Sequence, residues 1–121
     1  MNICSYIQAF MARKKSKHTL PEHLLEAVAR RFRTLGVPSR LRILSALMDG
    51  PLGMAELEEA TELEQSNLSR QITELEREGC VGRRRSGRSV EVEISDPSLR
   101  DLCALVCGAV TEQAPTKGRA R

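Results

Sequence analysis

Between Gln65 and Ile94 the apolar residues change from helical spacing to strict alternation, and this switch constrains the fold more than any other feature. In QSNLSRQITELEREG, Leu68, Ile72 and Leu75 recur at helical spacing. They bury one side and leave Gln65, Ser66, Asn67, Ser69, Arg70 and Thr73 on the other. Gly79 suits the left-handed position that ends a helix. Beyond it, Val90, Val92 and Ile94 alternate with Glu91 and Glu93, the period of a strand buried on one face. Val81 to Arg85 is the expected partner strand, joined to it through Ser86-Gly87. The helix, roughly 14 residues long, spans about 21 Å, enough to lie along a groove.

The outward face of that helix is chemically unusual. A solvated face is ordinarily rich in Lys and Glu, whereas this one opens with short hydrogen-bonding side chains and an Arg, types that read base edges in a major groove. The hairpin adds Arg83, Arg84, Arg85 and Arg88 with no acid inside the run, so phosphate contact explains it better than a solvated turn does. Motif and charge together point to a winged helix-turn-helix with double-stranded operator DNA as partner. The net charge of +3 is too mild to establish a nucleic-acid partner alone. With two Phe, one Tyr and no Trp, a platform that stacks single-stranded bases is excluded.

The rest of the chain supplies a mainly α frame of five helices around this unit. Residues 1–18 read as a disordered arm ending in a basic cluster, with Met11 a possible alternative start, and residues 114–121 as a disordered tail. The domain between them is 19–113. Pro21 opens a first helix to about Leu35, with Leu24, Leu25, Val28, Phe32 and Leu35 at helical spacing, and Gly36 ends it. Ser39 is the expected N-cap of a second helix carrying Leu41, Ile43, Leu44 and Leu47. Gly50, Pro51 and Gly53 are stop signals before a short third helix, about Met54 to Ala60, which makes a helix-turn-helix with the fourth. Asp96-Pro97 starts the last helix, whose stripe of Leu99, Leu102, Cys103, Val106 and Val110 is wide for so small a domain. The apolar faces of the first and last helices are left over, and a second copy of the chain can cover them. No apolar run approaches the roughly 20 residues that span a bilayer, and the basic cluster follows the weakly apolar start instead of preceding it, so a cytoplasmic location without a membrane partner is expected.

The segments PSRLRIL, AEL, QSNLSRQITELEREG and RRRSGRSVEVEISDP, in this order and spacing, resemble the ArsR/SmtB family of dimeric winged-helix repressors over roughly residues 32–113. The resemblance implies a homodimeric repressor built on its first and last helices and bound to a pseudo-palindromic operator. It implies that Gln65, Ser66, Ser69 and Arg70 approach the major groove, with Asn67 reaching a base edge or a phosphate. Arg84, Arg85 and Arg88 then contact flanking phosphates or the minor groove. The chain departs from the metal-sensing members: the stretch equivalent to their Cys-x-Cys is Gly53-Met54-Ala55-Glu56-Leu57, and both histidines, His18 and His23, lie near the start instead of on the last helix. Of the thiol pair in persulfide-sensing members, Cys107 matches the second, while the second helix offers only Ser45.

Cys103 and Cys107, spaced i, i+4, share a helix face. There two thiolates can hold arsenite or a soft metal ion, or one can be persulfidated or oxidised; equally, both can be small apolar residues packed at an interface. Cys80 falls where an apolar core residue belongs, and Cys4 can complete a three-thiol site. Two other readings stand beside the repressor: a protein-interaction module without an effector, and a thiol oxidoreductase. The latter lacks Cys-x-x-Cys spacing and a cation close to the pair, Arg100 being the nearest.

Overall fold

The computed structural model describes residues 20–120, with side chains described for residues 20–113. The arm expected at 1–18, including Cys4, Met11 and His18, lies outside the described residues. Helix α1 (Glu22–Leu35) starts on Pro21, whose carbonyl accepts from the Leu25 N–H at 2.8 Å, and Glu22 and Arg33 complement its dipole at either end. Gly36 closes it, donating to the Phe32 carbonyl at 2.9 Å. Helix α2 (Pro38–Ala46) is capped by Val37, two residues earlier than the sequence suggests, and not by Ser39. The proline explains the shift: its ring suits the first helical position, and it forces the residue before it into extended backbone. A 3-10 turn, Leu47–Asp49, ends this segment.

A two-residue strand, β1 (Leu52–Gly53), follows where only stop signals were read. Helix α3 (Met54–Thr61) then starts with the Glu56 carboxylate accepting from the Gly53 N–H at 2.8 Å, and it ends at Glu62 in the left-handed region (φ 61°). Helix α4 (Gln65–Arg77) packs across it as the second half of the helix-turn-helix. Its exit carries the two bonds of a left-handed C-terminal cap: Cys80 N–H to the Leu75 carbonyl at 2.8 Å and Gly79 N–H to the Glu76 carbonyl at 3.0 Å, with Gly79 at φ 79°. Strands β2 (Val81–Ser86) and β3 (Ser89–Ile94) form the wing, and β1 pairs with the other edge of β3, giving an antiparallel sheet of order β1-β3-β2. Ser86 faces Ser89, so the turn is Gly87-Arg88, with Gly87 at φ 66°, and Arg88 sits at the tip.

Helix α5 runs from Pro97 to Ala120, through the segment expected to be a disordered tail. The helix continues past Pro115 although that residue removes one donor and crowds the turn before it, so the breaker signal in APTKGRAR does not end it. Among the described residues, no helix is long and apolar enough to cross a membrane.

The core joins Leu35, Ile43, Leu44, Leu47 and Leu57 to Leu68, Ile72 and Leu75 of α4, to Cys80, Val81 and Val92 of the wing, and to Leu99 of α5. Each fully buried Leu or Ile contributes about 1.5–3 kcal/mol, and α4 supplies three of them with no exposure at all. Leu41 and Val90, expected inside, are 44% and 37% exposed. Leu41 turns to the surface shared by α1 and α5, and Val90 lies toward the open tip of the wing.

Arg31 locks the two terminal helices to this core. Its guanidinium donates to Asp96 Oδ2 at 2.7 Å and to the Glu78 carbonyl at 3.2 Å, and so ties α1 to the end of α4 and the start of α5. Burial pushes the Asp96 carboxyl up, but the hydrogen bonds from Arg31 and from the hydroxyl and backbone N–H of Ser98 outweigh it and hold the group below the usual carboxylate range. A depressed carboxylate stabilises the fold above its unfolded pKa and loses that contribution as pH falls through its folded one. Asp96→Asn is therefore expected to lower stability near neutral pH by about 1 kcal/mol for a partly exposed pair, and to flatten the loss below about pH 4. Chemical denaturation at pH 7 and pH 3 checks this; an equal loss at both would contradict it.

Candidate nucleic-acid interface

Burial of Leu68, Ile72 and Leu75 fixes the rotation of α4, and Gln65, Ser66, Ser69 and Arg70 are consequently exposed. Glu64 caps the helix. The Ser66 hydroxyl donates to Glu64 Oε1 at 2.6 Å and the Asn67 N–H donates to the same oxygen at 3.2 Å. These contacts, the Ser66 hydroxyl first, hold the Glu64 carboxyl below its ordinary range. The Ser66 hydrogen is thereby committed, and the hydroxyl can offer a ligand only its lone pairs.

Asn67 is half-buried and not on the open face the sequence suggests. Its Oδ1 accepts from Arg70 Nη2 at 3.1 Å and from Gln71 Nε2 at 3.2 Å. Behind them, Arg40 Nε donates to Gln71 Oε1 at 2.8 Å while Arg40 Nη1 donates to the Thr34 carbonyl at 3.0 Å. The sequence reading missed Gln71 and Arg40. The i, i+4 spacing of Asn67 and Gln71 is a readable cue to the first bond, but nothing local connects Arg40 to a residue on another helix.

The wing arginines divide into two groups. Arg83 pairs with Glu76 at 3.2 Å, and Arg84 reaches Glu91 at 3.7 Å and Glu93 at 3.6 Å. The arginine run contains no acid, but antiparallel pairing sets Arg84 opposite Glu91, so strand β3 supplies the counter-charge. Arg70, Arg85 and Arg88 are exposed and make no ion pair among the described residues. Within the hairpin, the arginines without an ion pair are thus Arg85 and Arg88 near its tip, and Arg70 lies on the α4 face with Glu64 as its charged neighbour.

On the other side of the molecule, α1, α2 and α5 enclose an apolar cleft of about 240 Å³, lined by Phe32, Leu35, Leu41, Leu102, Val106 and both cysteines of α5. Burial, and after it the neighbouring Cys107, pushes the Cys103 thiol up, which opposes formation of a thiolate there. Cys80 is fully buried, and its thiol is likewise raised by burial, as a core residue. His23 is exposed on α1. Among the described residues no three His, Cys, Asp or Glu side chains converge as a metal site, so a soft ion at α5 would find two thiols there.

Comparison with known proteins agrees with this geometry. The model of the family "Bacterial regulatory protein, arsR family" matches residues 37–82, from the cap of α2 into β2. The HTH-type transcriptional regulator NmtR of Mycobacterium tuberculosis is 36% identical over 90 residues, 74% of this chain and 75% of that protein. The crystal structure of M. tuberculosis Rv0081 superposes with a TM-score of 0.69 at 32% identity, covering 84% of this chain and 100% of that one. The solution structure of the homodimeric winged helix-turn-helix DNA-binding domain of Mb0332 from Mycobacterium bovis has a TM-score of 0.68 at 30% identity, covering 75% and 84%. The chain belongs to the ArsR family of bacterial regulatory proteins, DNA-binding transcriptional regulators and not enzymes.

Proposed function

We propose that the protein is a cytoplasmic, homodimeric repressor that holds a double-stranded operator with α4 in the major groove and the wing on flanking phosphates. The observation that carries this reading is the convergence of an exposed, hydrogen-bonding α4 face with the unpaired charges of Arg70, Arg85 and Arg88. Gln65, Ser66, Asn67, Ser69 and Arg70 supply base-edge and nearby phosphate contacts, and Arg84, Arg85 and Arg88 supply affinity that is independent of sequence. The dimer forms through α1 and α5. Leu25, Phe32, Leu105, Val106 and Val110 are each more than two-fifths exposed, and Phe32 and Val106 line the apolar cleft together with Leu41.

The ion pairs of the wing rank its arginines. Fluorescence anisotropy against a cognate duplex at several salt concentrations is expected to show Arg85→Ala and Arg88→Ala each reducing the salt slope by about one, with Arg84→Ala reducing it less. Arg70→Ala is expected to narrow the gap between operator and random duplex. Binding that none of these changes would count against the DNA reading and favour a protein-interaction module.

A thiol-directed signal at Cys103 and Cys107 fits this frame: both thiols line the cleft between the helices assigned to the dimer, so a ligand there bears on the spacing of the two α4 helices. Binding of a soft metal ion or arsenite displaces the thiol protons, and burial at Cys103 works against that step, so the reading rests on the placing of two thiols on one helix face in the cleft. Arsenite is expected to release DNA from the natural chain and not from a chain carrying Cys103→Ser and Cys107→Ser. Equal behaviour of the two would leave the cysteines as packing residues.

A further inference from the structure

Arg40 and Gln71 stand behind the outward face of α4, and we infer that they are positioning residues that dictate which hydrogen-bonding atoms Asn67 and Arg70 present to a base pair. This rests on the reading of α4 as the base-reading helix. An amide side chain alone can turn either its oxygen or its nitrogen toward a neighbour. Arginine removes that freedom, because its guanidinium only donates. Arg40 Nε lies 2.8 Å from Gln71, so the amide atom it meets must be Oε1, and Nε2 is turned toward Asn67. At Asn67 that donor converges at 3.2 Å with Arg70 Nη2 at 3.1 Å, so the atom they share must be Oδ1. A donor-only group at each end of the chain of bonds fixes both amides between them. The bond from Arg40 Nη1 to the Thr34 carbonyl, at 3.0 Å, anchors the rear end to the last turn of α1.

The consequence is chemical. A carbonyl oxygen has two lone pairs, and both of those on Asn67 Oδ1 are taken. Asn67 therefore offers its Nδ2 hydrogens alone. Bidentate recognition of adenine requires an asparagine to accept from N6 as well as donate to N7, and this arrangement forbids it. Asn67 instead donates to an acceptor such as a purine N7, guanine O6, thymine O4 or a phosphate. Arg70 keeps the guanidinium nitrogens that Asn67 does not use, held in place for the O6 and N7 of a guanine. Neither Arg40 nor Gln71 needs to touch DNA for this.

The test is selection from a randomised duplex library, with thermal melting of every variant. The natural chain is expected to enrich half-sites with a guanine that Arg70→Ala no longer requires, and with no position that demands adenine through Asn67. Gln71→Glu keeps an acceptor for Arg40 but has no hydrogen to give Asn67, whose amide then turns over and releases Arg70. The guanine preference is expected to fall at least about fivefold, the low end of what one bidentate pair contributes. Gln71→Met, which carries no charge, is expected to relax the same position. Arg40→Lys, still a donor only, is expected to retain it. A merely structural role would lower the melting temperature without redistributing base preferences. Half-sites unchanged in both Gln71 variants, or a natural-chain motif whose adenine is lost in Asn67→Ala, would overturn the inference and leave DNA binding intact. Failure of the natural chain to enrich any motif would overturn the base-reading role of α4 itself, and the inference with it.

Discussion

Everything functional in this domain depends on the burial of one helix face. Leu68, Ile72 and Leu75 are fully enclosed by α2, α3 and the wing, and their removal from water is what stops α4 from rotating about its own axis. A rotation of one residue position, about 100°, would carry the polar face out of register with any groove. The left-handed cap at Gly79 extends this constraint, because it turns the chain directly from the helix into β2. The wing therefore has a fixed position relative to the outward face of α4, and Arg31 extends the same rigidity to α1 and α5 through Glu78 and Asp96.

Charge is distributed with more discrimination than the sequence implies. The hairpin carries four arginines, but Glu76, Glu91 and Glu93 offset Arg83 and Arg84, and uncompensated charge remains at Arg85, Arg88 and, on α4, Arg70. Exposed pairs of this kind contribute little to stability. In the proposed complex they would limit non-specific attraction along the hairpin and leave the charge near its tip for phosphate. Glu64 satisfies the start of α4 and sets a negative charge beside Arg70.

The long periodic segments were legible in the sequence because period, cap and turn residues agree there: α4, the β2-β3 wing and the start of α5 each fall where pattern and punctuation coincide. The features that were not legible are those in which a distant partner decides. Strand β1 has two residues and no period, and exists because β3 has an open edge beside it. Leu41 reads as core from its spacing, yet its surroundings belong to the apolar surface of α1 and α5. The counter-charges of Arg83 and Arg84 come from another helix and from the facing strand. On the outward face of α4 the exposure of Gln65, Ser66, Ser69 and Arg70 was legible, but the hydrogen-bonding state of Asn67 was not, since its orientation is set by Gln71 and, through it, by Arg40 on a different helix.

Two copies joined through α1 and α5 would present two α4 helices to one face of a duplex, so their separation is the most direct measure of the proposed assembly. Hydroxyl-radical footprinting on the duplex the protein selects is the measurement to make. Two protected windows on the same face, centred about one helical turn or 10–10.5 base pairs apart or a multiple of it, with hypersensitive or unprotected bases between, are the expected result. A single window the width of one domain, at protein concentrations that saturate the duplex, would contradict the dimeric reading and with it the assignment of the terminal helices to the interface.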